Sequence, residues 1–318
     1  MELYREVLEE RWRCFDAEAF VEADPLRVVY DLMSEVKGDF EVKGDRENVK
    51  GEKVKGDKED VKCDREEVSG DVVVEREFVR QIEVGALFVA MIAWGNRKMI
   101  KANANRLMEV MSWRPYDYIM SGAFEKYPDE QCVHRTLFGG AFKQVCRNLV
   151  EVYREFGSLE SFVVGDRGDR EEVKGEIGDS GEVKGDEGNK EKVKGDTGEV
   201  SGDEVVEGKY VERLAKITAP AKLGSVSGKS ACKRLCMFLR WMVRTDKPDL
   251  GLWRKIKSSE LFAVLDVHVV RQARENGLIC GSSTASWKSV RELTECYRSW
   301  CADDPLKYDM VMMGEDLE

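Results

Sequence analysis

The sequence predicts an all-α protein, and three observations support that fold class. Outside two repetitive segments, apolar residues recur at helical spacing, and few stretches alternate as a half-buried strand does. Residues that start and stop helices bound these stretches, such as Asp266 before an amphipathic run and Gly277 after it. The two repetitive segments are rich in glycine and charge and have no apolar face wide enough to bury, so we expect them to interrupt the helical fold.

The first half of the chain contains three helical patterns. Leu3–Val21 has helical spacing, and the sequence ADPL that follows indicates a break and a restart. Val79–Ala93 is nearly all apolar, which predicts a helix inside the protein. The sequence WGNR at residues 94–97 interrupts it, and a further helix is expected over Lys98–Met111, before Pro115.

The second half is predicted to be helical as well. The expected helices are Phe138–Phe156, Tyr210–Ile217, Ser230–Arg244, Asp266–Asn276 and Thr284–Cys301. The longest apolar run, Gly85–Gly95, is shorter than the roughly 20 residues that cross a bilayer, so no membrane partner is expected. The nine cysteines are odd in number and have no framework spacing, which favours reduced thiols and a cytoplasmic location.

Units built on V-K-G-D recur in residues 35–75 and 163–208. Their irregular spacing and single valine argue against a packed solenoid, so we interpret both segments as disordered low-complexity inserts. The remaining chain then divides into N-terminal helices (1–34), a helical subdomain (76–162) and a basic helical subdomain (209–318).

The acidic inserts give the whole chain a negative net charge, although its C-terminal region is basic. The whole chain carries a net charge of −11, but residues 35–75 hold 9 basic and 14 acidic side chains and residues 163–208 hold 7 and 15. From Lys209 to Ala302 there are 18 Lys and Arg against 8 Asp and Glu, a net of +10. Such a surface suits a polyanion, most simply nucleic acid. The alternative is ordinary solvated helix faces offset by acidic loops.

Lys233 and Asp266 are the candidate catalytic residues. Lys233 falls in the first turn of its predicted helix, where the helix dipole disfavours a cation and favours a nucleophilic amine. The alternative is a surface lysine that only covers apolar surface. Asp266 is placed to cap a helix, or to stabilise a cationic sugar-like transition state from a cleft wall. His268 is either a structural histidine or a further contact to substrate.

Two segments are candidates for contacts to nucleic acid. The glycine-rich turn Gly224–Ser230 resembles a phosphate-binding P-loop, but it has three residues between its glycines where that loop needs four. We discount an ATPase and expect its N–H groups to hold a DNA phosphate. The basic segment Trp94–Arg106 follows a buried helix, and Asn96 at its start could fill the gap left by an extruded base; a plain helix corner is the alternative. The candidate nucleic-acid contacts are Asn96, Arg97, Lys98, Lys101, Gly228, Ser230, Arg234, Arg240 and Arg271.

The cysteines do not predict a metal site. Cys232 and Cys236 are four residues apart, but no second pair completes a set of four ligands. Cys280, Cys296 and Cys301 lack the four-cysteine run of an iron–sulfur loop. We therefore expect neither a metal nor a cofactor.

Several blocks resemble a known family, among them FVAMIAWGNRKMIKANANRLMEVM, SACKRLCMFLRWMVR, LDVHVVRQARENGL and WKSVRELTE. They are similar to an uncharacterised bacterial conserved-hypothetical family, domain-of-unknown-function family 2400, and cover nearly all of the chain except the V-K-G-D inserts. That family in turn distantly resembles the helix-hairpin-helix (HhH-GPD) DNA glycosylases. In those enzymes a buried helix ends in a polar loop that enters DNA. A glycine-rich hairpin then leads into a helix with a catalytic lysine, and a V-D-V-H stretch supplies a catalytic aspartate.

The resemblance implies specific roles for residues of this chain. In the stretch LDVHVVRQA, Asp266 corresponds to the catalytic aspartate of the glycosylases. Lys233 is our choice for their catalytic lysine, and Lys229 is the alternative. The sequence also departs from the superfamily. The Leu-Pro-Gly-Val-Gly hairpin is replaced by LGSVSGKSA, the iron–sulfur cysteines are missing, and the lysine and aspartate are 33 residues apart, farther than usual.

The expected function is therefore base-excision-repair-like. A monomer with a glycosylase-like helical fold would bind double-stranded DNA, flip a base and cleave the N-glycosidic bond, with an accompanying lyase activity. Two alternatives stay open: a non-catalytic nucleic-acid-binding module on a degenerate glycosylase fold, and a protein-interaction scaffold.

Overall fold

The computed structural model describes residues 2–50, 70–167, 207–280 and 284–313, and these residues confirm the all-α class. The helices before the second V-K-G-D segment are α1 (Glu2–Arg13), α2 (Ala17–Ala23), α3 (Leu26–Lys50), α4 (Gly70–Ile92), α5 (Arg97–Val110), α6 (Pro115–Met120), α7 (Gly139–Phe156) and α8 (Leu159–Val164). Those after it are α9 (Lys209–Ile217), α10 (Lys233–Val243), α11 (Val267–Glu275), α12 (Trp287–Trp300) and α13 (Lys307–Met313).

The only strands of the described residues form a short antiparallel hairpin, β1 (Cys132–His134) and β2 (Leu137–Phe138), which the sequence did not predict. Within the same residues, no helix combines the length and apolar character needed to cross a membrane.

Helix α4 is the centre of the core, as its apolar sequence predicts. Residues 81–93 are buried without interruption, and α4 packs against α3, α5, α6 and α10. At Gly85 the neighbouring helix comes so close that an added Cβ would lie 2.2 Å from Leu32 Cδ2. Residues of both halves of the chain join one apolar cluster, so the last helices are fixed to the same core as the first.

The expected N-terminal helix is two helices. The chain leaves α1 after Arg13 and restarts at Ala17, because the carboxylate of Asp16 accepts the N–H groups of Glu18 and Ala19 and caps α2. Helix α2 then packs against α3.

Helical structure also extends into the first V-K-G-D segment. The sequence predicts an irregular insert from residue 35, but α3 continues to Lys50 and α4 begins at Gly70. Val36 is fully buried, so the start of this segment is anchored in the core, and its Glu and Lys residues have good helix propensity. Residues 51–69, a part of the first predicted insert, and 168–206, most of the second, lie outside the described residues.

A buried carboxylate, Glu83 of α4, ties three parts of the chain together. It accepts hydrogen bonds from Tyr153 Oη (2.7 Å), the Leu159 N–H (3.0 Å) and Trp253 Nε1 (2.9 Å). Burial raises its pKa to about 7, although those hydrogen bonds oppose the rise. A group of this kind makes the stability of the fold depend on pH.

We expect the free energy of unfolding to fall as pH rises from 4.5 to about 7, because folded Glu83 keeps a proton that the unfolded chain releases. Glu83→Gln cannot titrate, so this part of the pH dependence should disappear. The variant should also lose about 1–3 kcal/mol, because its amide N–H would face the Trp253 N–H. Urea unfolding between pH 4.5 and 7.5 measures both effects, and an unchanged pH slope in the variant would contradict the assignment.

Candidate active site

A groove of about 990 Å³ lies where four segments meet. The segments are the α2–α3 junction, the loop between α4 and α5, the start of α10 and the start of α11. Its charged and aromatic walls include Asp24, Trp94, Arg97, Lys233, Arg234 and Asp266. Both candidate catalytic residues therefore open to one groove, although they are 33 residues apart in sequence.

Lys233 is the first residue of α10, three residues later than the predicted helix start at Ser230. Cys232 adopts a left-handed conformation (φ 48°), which turns the chain sharply into the helix. Ser230, just before it, forms a bridge with Ser286, the cap of α12. These contacts fix the entry into α10 and place Lys233 at the groove.

Asp266 caps α11, as the sequence predicts. One carboxylate oxygen, Oδ1, accepts the N–H groups of His268 and Val269, both at 3.0 Å. Two hydrogen bonds fix the segment just before Asp266. Thr294 Oγ1 accepts the Ala263 N–H (3.0 Å), and Asp309 Oδ2 accepts the Val264 N–H (2.8 Å).

The second oxygen of the Asp266 carboxylate pairs with the lysine. Lys233 Nζ lies 2.8 Å from Asp266 Oδ2, and the two side chains are 31% and 23% exposed. Burial raises the pKa of Asp266, but the Lys233 ammonium and the hydrogen bonds outweigh it and hold that pKa below its usual value. Asp266 is thus an ionised carboxylate beside an amine, and the amine must lose a proton before it can attack a carbon atom.

The two other candidate catalytic residues, Lys229 and His268, differ in their position relative to the groove. Lys229 is exposed in the glycine-rich turn (φ 60°) and does not line the groove. His268 lines the groove, is exposed, and donates its backbone N–H to Asp266. Of the two lysines, the geometry brings Lys233 to the aspartate.

The loop between α4 and α5 forms one wall of the groove. Asn96 caps α5 by accepting the Met99 N–H (3.2 Å), and the exposed Arg97 lines the groove. His134 of β1 fixes the loop from behind with a hydrogen bond to the Trp94 carbonyl (2.9 Å). The hairpin that the sequence missed therefore supports the predicted DNA-facing loop.

The other basic residues that were predicted to contact nucleic acid differ in burial and in whether they line the groove. Arg234 lines the groove, and its guanidinium donates to the carbonyls of Met91 (2.5 Å) and Lys222 (3.1 Å); burial lowers its pKa to about 10. Lys98 and Arg271 are exposed outside the groove lining. Lys101 donates to the Glu22 carbonyl (2.6 Å).

The structure corrects the interpretation of Arg240, which was predicted to contact nucleic acid. It is 1% exposed and pairs with the buried Asp249 at 3.3 Å, and Asp249 also accepts from Arg244 at 2.7 Å. Residues 235–243 of α10 are all buried, so this helix has no solvated face on which Arg240 could meet a phosphate.

The glycine-rich turn uses the N–H groups of residues 226–230 for contacts within the protein, although Ser230 lines the groove. Glu212 of α9 accepts the Val226 N–H (2.7 Å), the Ser227 N–H (3.3 Å) and the Ser227 hydroxyl (2.7 Å). The Gly228 N–H donates to Ser225 Oγ (3.0 Å) and the Ser230 N–H to the Ser225 carbonyl (3.1 Å). Glu212 thus takes up two N–H groups that the sequence analysis expected to hold a DNA phosphate.

Sequence reasoning missed one charged residue of the groove. Asp24 lines it from the α2–α3 junction, and the break at ADPL was the available signal for a residue at a helix start. Among the described residues, no three His, Cys, Asp or Glu side chains come together as metal ligands do, and the eight cysteines there are free thiols.

A family model described as "Protein of unknown function (DUF2400)" matches residues 72–318. No curated protein and no solved structure matches the chain.

Proposed function

The chain belongs to the DUF2400 family, whose description gives no activity, and we propose that its groove binds duplex DNA and cleaves the N-glycosidic bond of a flipped base. The observation that carries the proposal is the 2.8 Å contact between Lys233 Nζ and Asp266 Oδ2 in a groove of about 990 Å³. A nucleophile and an anion at neighbouring helix starts are the groups that this substitution at a sugar carbon requires.

The surroundings of the pair support a DNA substrate. Arg97 and Arg234 place positive charge on the groove wall, where a phosphate flanking the flipped nucleotide could bind. Asn96 stands at the start of α5, beside the groove, in the position expected of a side chain that fills the gap in the duplex. The resemblance of LDVHVVRQA to the glycosylase signature, together with the helical fold, gives the proposal a second support.

In the proposed reaction, Lys233 attacks the anomeric carbon of the extruded sugar. The ionised Asp266 draws off the proton that the lysine releases, and until that transfer is complete its negative charge stabilises the positive charge that develops on the sugar. Loss of the base leaves the amine of Lys233 bonded to the anomeric carbon. The bond from that carbon to the ring oxygen then breaks as one N–H proton passes to this oxygen, which gives the Schiff base from which strand cleavage, the lyase activity, follows.

Borohydride reduction tests this chemistry, because it traps the Schiff base as a stable protein–DNA adduct. We expect the wild-type protein to form the adduct on duplexes with one abasic site. Lys233→Gln should reduce the adduct to background, because it removes the amine. Lys229→Gln is the matched control and should form as much adduct as the wild type. Absence of adduct with the wild type, or an undiminished adduct in both variants, would contradict the lyase mechanism.

One observation favours a second candidate, a nucleic-acid-binding module without chemistry on a degenerate glycosylase fold. The cap at α11 alone accounts for Asp266, since its Oδ1 satisfies two N–H groups of the helix. This candidate predicts DNA binding that weakens steeply with salt, is unaffected by Asp266→Asn, and occurs without base release. A protein-interaction scaffold would require that nucleic acid does not bind at all.

A further inference from the structure

The groove holds a second carboxyl group, Asp24, whose position is fixed by the start of α3. Its Oδ1 accepts the Leu26 N–H at 2.9 Å, and the half-buried side chain lines the same groove as Lys233 and Asp266. Its other oxygen, Oδ2, accepts no hydrogen bond from the described residues. One oxygen is therefore held in place by the helix start, and the residue itself forms part of the groove wall.

The two carboxyl groups of the groove have opposite environments. Burial raises the pKa of Asp24, although the Leu26 N–H and the charges of Arg240, Arg97 and Lys233 oppose the rise. The pKa of Asp266 is below its usual value, because the Lys233 ammonium pairs with it directly. A carboxyl group whose pKa is raised holds a proton more readily than one whose pKa is lowered, so Asp24 is the better acid of the two and Asp266 the better anion.

The proposed reaction needs such an acid. When the bond between the anomeric carbon and the base breaks, its electron pair goes to the base, and protonation of the base makes it a better leaving group. Asp266 has another task in that reaction, since its pKa is held low beside Lys233 and it serves as the acceptor of the lysine's proton. Asp24 is the remaining carboxyl group that lines the groove among the described residues.

Resting on the function proposed above, we propose that Asp24 is the proton donor to the departing base. Lys233 gives one proton to Asp266 and forms a bond to the anomeric carbon through its free electron pair. The bond from that carbon to the base breaks, and the proton of the Asp24 carboxyl group goes to the base. The products are a protonated secondary amine on Lys233, a neutral Asp266, an ionised Asp24 and a neutral base, so atoms and charge balance.

The test compares two reactions of Asp24→Asn. The probes are duplexes that carry one uracil, one 8-oxoguanine, one thymine glycol or one preformed abasic site. On any base that the wild type releases, we expect kcat for release to fall about 100-fold or more in the variant. Borohydride trapping on the preformed abasic site should change little, because no base remains to be protonated. An asparagine can still accept the Leu26 N–H, so the helix start should persist.

The matched control is Glu22→Gln, two residues earlier, whose exposed side chain (64%) does not line the groove; its base release should equal that of the wild type. Wild-type release should also slow as pH rises through the pKa of Asp24, and this limb should be absent in Asp24→Asn.

The outcomes separate the two proposals. If the wild type releases a base and Asp24→Asn releases it equally fast, the role of Asp24 is overturned and the proposed function stands. If the variant loses base release and abasic-site trapping to the same degree, Asp24 acts on the lysine or on the fold, and the role as donor is overturned. If the wild type releases no base from any of these duplexes, cleavage of the glycosidic bond fails, and the role of Asp24 fails with it.

Discussion

Asp249→Ala is expected to destabilise the protein by about 3–5 kcal/mol, because it leaves two guanidinium groups buried without their shared carboxylate. Asp249 is fully buried and pairs with Arg240 and Arg244, which are each 1% exposed. Arg244 also pairs with Asp304 at 2.7 Å, so the loss of Asp249 leaves it a second carboxylate. The free energy of unfolding from urea titration measures the loss.

Asp246→Ala is the matched control for this prediction. Asp246 is 66% exposed and lies 3.7 Å from Arg244, so its removal should cost at most about 1 kcal/mol. A similar loss in both variants, or less than about 1 kcal/mol for Asp249→Ala, would contradict a stabilising role of the buried ion pairs between Asp249 and the two arginines.

Asp266→Asn is expected to reduce base release by about 100- to 1000-fold, because the variant loses the carboxylate that takes up the proton of Lys233. Asparagine caps helices about as well as aspartate, so its amide oxygen should still accept the N–H groups of His268 and Val269. The Lys233–Asp266 ion pair is partly exposed to solvent, and we expect stability to change by about 1 kcal/mol or less. Kinetics of base release and urea unfolding, measured on the same preparation, separate the chemical role from the capping role.

Asp16→Asn provides the control for the change at Asp266. Asp16 caps α2 through the N–H groups of Glu18 and Ala19 and does not line the groove. Its variant should match the wild type in both stability and base release. Equal base release by the wild type and Asp266→Asn would leave Asp266 with the helix cap alone.

The parts of the fold that the sequence predicted are those governed by local rules. The apolar run of α4 could only be stable inside the protein, and it is the central helix. The cap at Asp266 depends on two N–H groups within the next three residues, so the sequence alone identifies the capping residue. The break between α1 and α2 was missed, although Asp16 is a capping residue of the same kind, because the apolar spacing continues across it.

The parts that sequence reasoning missed depend on long-range contacts. Arg240 lies off the apolar stripe of its helix, which suggested a solvated side chain, but Asp249 in the following loop folds back onto it inside the core. The glycine-rich turn has the composition of an anion site, but its occupant, Glu212, comes from another helix. No local pattern places Asp24 beside Lys233, since 209 residues of chain separate them.

The most direct test of the account is to find which residue carries the DNA after borohydride trapping on an abasic-site duplex. Proteolysis of the adduct and mass spectrometry of the DNA-linked peptide identify the attachment site. We expect attachment to the side chain of Lys233, which lies 2.8 Å from Asp266 in the groove. Attachment to Lys229 or to a lysine outside the groove, or no adduct at low ionic strength, would contradict it.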